Sequence, residues 1–159
     1  MVTLEQIRRG AGERLYPRHA LAGCEDALVL FAAAFHGQQD AIWIAEAGMR
    51  ATCVDLDGEK LNEMVLAYPE GWEYVTGDAF QYALMTERTW DVVSIDCPSN
   101  LFERCAELLP MWCLLARKAV VLGCGTDTDL AAPEGWQITD RVHRSRNYGG
   151  TYWAVIERC

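Results

Sequence analysis

Ala27-Leu28-Val29-Leu30-Phe31 and Arg50-Ala51-Thr52-Cys53-Val54-Asp55 are two short apolar runs on either side of a stretch with helical periodicity. The first run is continuous rather than alternating, the pattern of a strand covered on both faces. Between the two, residues 38–47 put Ile42, Trp43 and Ala45 on one side and stop at Gly48, as helices commonly stop at glycine. A strand–helix–strand unit of this kind joins parallel strands through a right-handed crossover.

The unit repeats down the chain. Residues 58–68 read as a helix with Leu61, Met64, Val65 and Tyr68 on one face, and Tyr74-Val75-Thr76 as a short strand ending at Gly77-Asp78. A helix is expected over about 79–87, then a fourth strand from Trp90 to Asp96. A long helix over about 100–116, bent at Pro110, leads to a fifth strand, Ala119-Val120-Val121-Leu122. The pattern then changes: Trp136 to Val142 and Thr151 to Glu157 look like two strands joined by the turn-rich Asn147-Tyr148-Gly149-Gly150. These elements predict an α/β three-layer sandwich. Its sheet is seven-stranded, mostly parallel and Rossmann-like, with an antiparallel strand from the C-terminal hairpin. At the other end, Thr3 and Gln6 form a capping box for a helix to about Arg14, ended by Pro17. Residues 1–20 are thus read as a helical extension of one domain spanning 1–159.

Composition fits this. The 159 residues are 51% apolar and 23% charged, which describes a globular domain and not a disordered chain. No apolar run approaches the roughly 18 residues of a membrane helix, and the first residues are polar, so a cytoplasmic location is expected. The seven cysteines contain no Cys-x-x-Cys pair and read as reduced, buried thiols. His19, His36 and His143 lack metal-ligand spacing, so no metal is expected. The net charge of −9 disfavours indiscriminate polyanion binding. It is unevenly spread: residues 1–20 carry four Arg and two acids, and residues 141–159 four Arg and one acid. A basic fringe on an acidic body hints at an anionic acceptor.

In an open parallel sheet, ligands gather beyond the carboxyl ends of the strands, so the residues at and just past each strand end matter most. Strand two ends in Val54-Asp55-Leu56-Asp57. Asp55 at the tip can accept hydrogen bonds from both hydroxyls of a ribose, with Leu56 beside it, while Asp57 reads as the cap of the next helix. Strand three ends in Gly77-Asp78-Ala79-Phe80. Asp78 either meets an adenine amino group, with Ala79 or Phe80 near the ring, or caps the next helix. Strand four ends in Asp96-Cys97-Pro98-Ser99-Asn100. Pro98 holds the preceding backbone extended, so that Asp96 can receive a proton or hydrogen bond from an incoming amine or hydroxyl. Ser99 or Asn100 can cap the next helix in the same arrangement. Strand one runs into Ala32-Ala33-Ala34-Phe35-His36-Gly37. The alanines, among them Ala32 and Ala34, permit close approach of backbone to a ligand, and Gly37 is the residue expected to supply conformational freedom.

The ordered set Asp55, Asp78, Asp96 on consecutive strands resembles the class I S-adenosylmethionine-dependent methyltransferases, over about residues 26–159. The resemblance implies a ribose-binding acid at Asp55, an adenine-contacting acid at Asp78 and the post-strand-four motif at Asp96-Cys97-Pro98-Ser99. It further implies S-adenosyl-L-methionine as cofactor, held by Ala32, Ala34, Gly37, Asp55, Leu56, Asp78, Ala79, Phe80 and Asp96, with Asp96 and Pro98 at the reacting end. This chain departs from the family in three places. Phe31 to Gly37 replaces an acidic, glycine-rich loop, Cys97 and Ser99 stand where amino-methylating members carry proline and an aromatic, and little helix follows strand five.

Methyl transfer is an in-line displacement that requires alignment and exclusion of water. The hairpin turn should lie on the crevice side, where Arg144 and Arg146 suit a phosphate or carboxylate and Tyr148 a flat ring. Without an inserted cap the site should be open, which suits a macromolecular acceptor, a partner subunit or a homo-oligomer. Three rivals remain: a non-catalytic scaffold with a degenerate loop, transfer of another group such as aminopropyl, and a nicotinamide dehydrogenase. The last lacks the Gly-x-Gly-x-x-Gly it needs after strand one. Gly123-Cys124-Gly125-Thr126 resembles the missing loop, but too little chain remains beyond it for a permuted enzyme, so it reads as the end of strand five.

Overall fold

The computed structural model describes residues 5–6, 15–125, 128–143 and 151–159, with only the backbone of Phe35 and His36. The strands are β1 (Asp26–Leu30), β2 (Arg50–Asp55), β3 (Glu73–Thr76), β4 (Trp90–Ile95), β5 (Ala116–Gly125), β6 (Trp136–His143) and β7 (Thr151–Arg158). The helices are α1 (Phe35–Glu46), α2 (Gly58–Ala67), α3 (Ala79–Met85), α4 (Phe102–Glu107) and α5 (Leu109–Leu115). The sheet order is β3-β2-β1-β4-β5-β7-β6. Neighbours from β3 to β5 are parallel, whereas β7 is antiparallel to both β5 and β6. This is the expected mostly parallel seven-stranded sheet with its antiparallel strand at the C-terminal end.

Alternate residues of the central strands face opposite layers. Ala27, Val29, Cys53, Val92 and Val121 pack with Ile42, Ile44, Leu61 and Met64 from α1 and α2. On the other face, Leu28, Leu30, Val54, Val93, Ile95 and Val120 meet Phe80, Leu109 and Trp112 from α3 and α5. Large side chains fill both layers: Trp90, Trp112 and Trp153 are almost fully buried. The chain joins this core by residue 16. Buried Tyr16 donates to Ser94 Oγ at 2.9 Å and packs edge-on against Trp153. A 3-10 turn, Arg18–Leu21, follows Pro17. Of the helix expected before Pro17, Glu5 and Gln6 are helical, and the rest lies outside the described residues.

Three expectations change. The long helix over 100–116 is two short ones, broken at Leu108, preceded by a 3-10 turn at Ser99–Leu101. Pro110 sits in the first turn of α5, where its missing N–H costs nothing, so it opens a helix and does not bend one. Strand β5 starts directly after α5 and runs ten residues, to Gly125. Gly123 and Cys124 are paired with β7 within it, in keeping with the reading of that glycine pair as strand end. Helix α1 begins three residues earlier than expected, at Phe35, and the reason lies at the site. The cysteines are all free, with five of them buried. Burial pushes the Cys113 thiol up to about 11. Among the described residues no helix is long and apolar enough to cross a membrane.

Candidate functional site

Strand register sets one row of residues across the carboxyl ends. Thr76 is level with Asp55, Val54 with Leu30, and Leu30 with Ile95. One residue beyond these partners stand Asp55 at the end of β2, Phe31 in the turn that follows β1, and Asp96 just past β4. With neighbouring strands about 4.8 Å apart, Asp55 and Asp96 lie roughly 10 Å from one another along this row.

Asp55 ties three tips together. Its Oδ2 accepts the Ala33 N–H at 3.0 Å, its Oδ1 the Asp57 N–H at 3.0 Å, and its carbonyl the Gly77 N–H at 2.9 Å. The loop after β1 and the turn after β3 are thereby fixed to one carboxylate-bearing residue. Asp57 caps α2 as expected, accepting from the Lys60 N–H. Between the two acids, Leu56 is 70% exposed.

Asp78 follows β3, two residues past the partner of Asp55. Its Oδ1 accepts the Gln81 N–H at 2.9 Å and caps α3. The helix-cap role of Asp78 is therefore present, and an ionised carboxylate has acceptor capacity beyond one N–H. Ala79 and Phe80 are buried. The ring of Phe80 is turned into the packing: it meets Phe31 edge-on at 5.9 Å and Trp112 at 6.1 Å, with the Arg104 guanidinium 4.2 Å above it. Asp96 is buried at the tip of β4, whereas Pro98 is exposed with an extended ψ of 150°.

The β1 tip differs from what its sequence implies. Gly37 does not supply a left-handed turn; it lies in the first turn of α1. A Cβ there would stand 2.3 Å from the Phe31 carbonyl oxygen, so glycine is required for close approach. The left-handed residue is Phe31 itself, at φ 59°. Ala32 and Ala33 are buried, Ala32 donates its N–H to the Val54 carbonyl, and Ala34 stands exposed as the N-cap of α1. Sequence reasoning missed Phe31, and missed the Ala33 and Gly77 amides, which no side chain advertises.

Arg144, Arg146 and Tyr148 lie outside the described residues. Their flanks do not: His143 pairs with Tyr152, and Thr151 with Gly125 at the carboxyl end of β5. A cleft of about 430 Å³ lies beside α4, lined by Glu103, Glu107, Pro110, Thr128 and Asp129 among others. This wall is acidic.

No family model and no curated protein matches the chain by sequence. Solved structures do match by shape. A conserved hypothetical protein of Streptococcus pyogenes superposes with a TM-score of 0.64 at 16% identity, covering 86% of each chain. TrmN from Thermus thermophilus gives 0.65 at 18% identity, over 98% of this chain and 48% of its own, so this chain spans about half its length. Magnesium protoporphyrin IX methyltransferase from Synechocystis PCC 6803, solved with bound SAH, gives 0.62 at 14% identity over 100% and 89%. The chain has the class I methyltransferase fold.

Proposed function

We propose that this protein binds S-adenosylmethionine across the β2–β1–β4 tips and transfers its methyl group to an acceptor held at Asp96. The observation that carries this reading is the Asp55 carboxylate. It is fixed by the Ala33 and Asp57 backbone amides, while the main-chain carbonyl of the same residue holds the Gly77 amide, and it lies next to the exposed Leu56. A ribose diol needs acceptors in a fixed place, and each carboxylate oxygen retains a lone pair after its one N–H bond. Leu56 and the Ala79 region give an adenine apolar contact, and Asp78 gives its amino group an acceptor. These residues fit the cofactor, although the loop from Phe31 to Gly37 does so without glycines at the tip.

When bound, the cofactor supplies a sulfonium methyl: the acceptor lone pair forms the new bond to carbon, and the carbon–sulfur pair returns to sulfur. The chain's own part is placement. Asp96, buried beside Cys97 and braced by Pro98, orients the acceptor X–H and takes the proton released. Arg144 and Arg146, in the sequence that joins β6 to β7, have the charge to suit an anionic acceptor group.

Calorimetry with S-adenosylhomocysteine tests the reading. The wild type is expected to bind, and Asp55→Asn to bind about 10- to 100-fold more weakly. Absence of binding by the wild type to either S-adenosylhomocysteine or S-adenosylmethionine overturns it in favour of a non-catalytic scaffold.

A further inference from the structure

Phe31 is the one non-glycine residue with positive φ among the described residues. For a bulky L-residue this conformation costs roughly 1–2 kcal/mol, and strain of this kind persists only where the surroundings over-determine it. They do so here. The Phe31 carbonyl is pressed against Gly37, the next amide is tied to Val54, and the one after that to Asp55. The result is that an aromatic ring, half-buried against Phe80, stands at the tip of the central strand. Phe31 directly follows Leu30, whose partners Val54 and Ile95 directly precede Asp55 and Asp96.

Resting on the function proposed above, we infer that Phe31 is the residue that recognises the sulfonium charge. A cofactor whose ribose is held at Asp55 and whose methyl faces Asp96 carries its sulfur between them. The stretch from Ala27 to Gln39 carries no carboxylate of its own, so beside the Asp55 carboxylate, which accepts the Ala33 N–H, the Phe31 ring face is what the β1 tip itself offers a cation. Aromatic faces attract cations within about 6 Å of the ring centroid. The contact distinguishes substrate from product: after transfer the sulfur is a neutral thioether, and the attraction disappears. Phe31 thus holds S-adenosylmethionine in preference to S-adenosylhomocysteine and limits retention of the product.

The test compares the two ligands by calorimetry at position 31. Phe31→Leu keeps apolar bulk and removes the π face. S-Adenosylmethionine affinity is expected to fall about 2- to 30-fold, with S-adenosylhomocysteine affinity nearly unchanged. Fluorinated phenylalanines incorporated at the same position keep the shape and drain the ring face, and serve if the leucine protein folds poorly. Each added fluorine should lower the ratio of the two affinities. Parallel losses for both ligands, or a ratio indifferent to fluorination, overturn the role of Phe31 and leave the cofactor reading standing. Failure of the wild type to bind either ligand overturns both.

Discussion

Gly37 lies in the first turn of α1, where a helix would ordinarily favour alanine by about 1 kcal/mol. The sign reverses here, because the added Cβ would meet a backbone oxygen at 2.3 Å, and neither the β1 tip nor the helix can move without disturbing the other. Gly37→Ala is expected to destabilise the protein by about 2 kcal/mol in denaturant unfolding; a gain in stability would show that the tip yields. The glycine is plain in the sequence, but its reason is not. A glycine before a helix reads as a conformational hinge, and only the fold brings its Cα against Phe31. Phe31 is still less legible, since left-handed backbone favours Gly, Asn and Asp and nothing local marks a phenylalanine for it. The positions of Asp55 and Asp96 at strand ends are legible because each closes an apolar run with a charge, and that of Asp78 because Gly77 ends the strand before it. The amides that hold Asp55 are not, since backbone donors leave no trace in residue type.

At the scale of elements, Asp57 and Asp78 occupy equivalent places: each caps the helix after its strand through one carboxylate oxygen. Function should separate them. Asp57→Ala is expected to cost about 1 kcal/mol of stability and leave S-adenosylhomocysteine affinity unaltered. Asp78→Ala should cost the same stability and weaken binding as well. Asp78→Ser should then recover the stability, since serine caps well, without recovering the affinity. Thermal shift and calorimetry on the three variants check this, and recovery of both by serine would make Asp78 a cap alone. The alternation of strands and helices was legible throughout. The break between α4 and α5 was not, because it preserves the periodicity: Cys105, Leu109, Trp112 and Cys113 are all buried at the spacing of one continuous helix. Nor was the start of β5 at Ala116, which is set by pairing with Trp90 across the sheet.

For the whole molecule, the two ends of the sheet do different work. The carboxyl ends carry the proposed cofactor site, with the left-handed Phe31 and exposed Leu56, while the amino ends carry a charge cluster that binds strands together. Buried Asp91 accepts the Glu25 N–H at 2.8 Å and the Arg117 Nε–H at 3.0 Å. Arg117 also reaches Asp26 at 2.7 Å and the Thr89 carbonyl. Burial alone would raise the Asp91 carboxyl, but the Glu25 amide and the Arg117 guanidinium outweigh it and hold it below the usual carboxylate range. A depressed carboxylate stabilises the fold at pH values above its unfolded value, about 3.9, and that contribution is lost as pH falls through the lower folded value. The unfolding midpoint of the wild type should therefore fall steeply below about pH 4, and Asp91→Asn should flatten that acid limb while lowering stability at pH 7. Arg117→Met should cost about 2 kcal/mol at neutral pH, discounted for the half-exposed guanidinium. Because this cluster sits at the opposite end of the strands from Asp55, neither change should alter S-adenosylhomocysteine affinity in the folded protein. A parallel loss of affinity would mean that the amino-end cluster sets the register on which the row Asp55–Phe31–Asp96 depends.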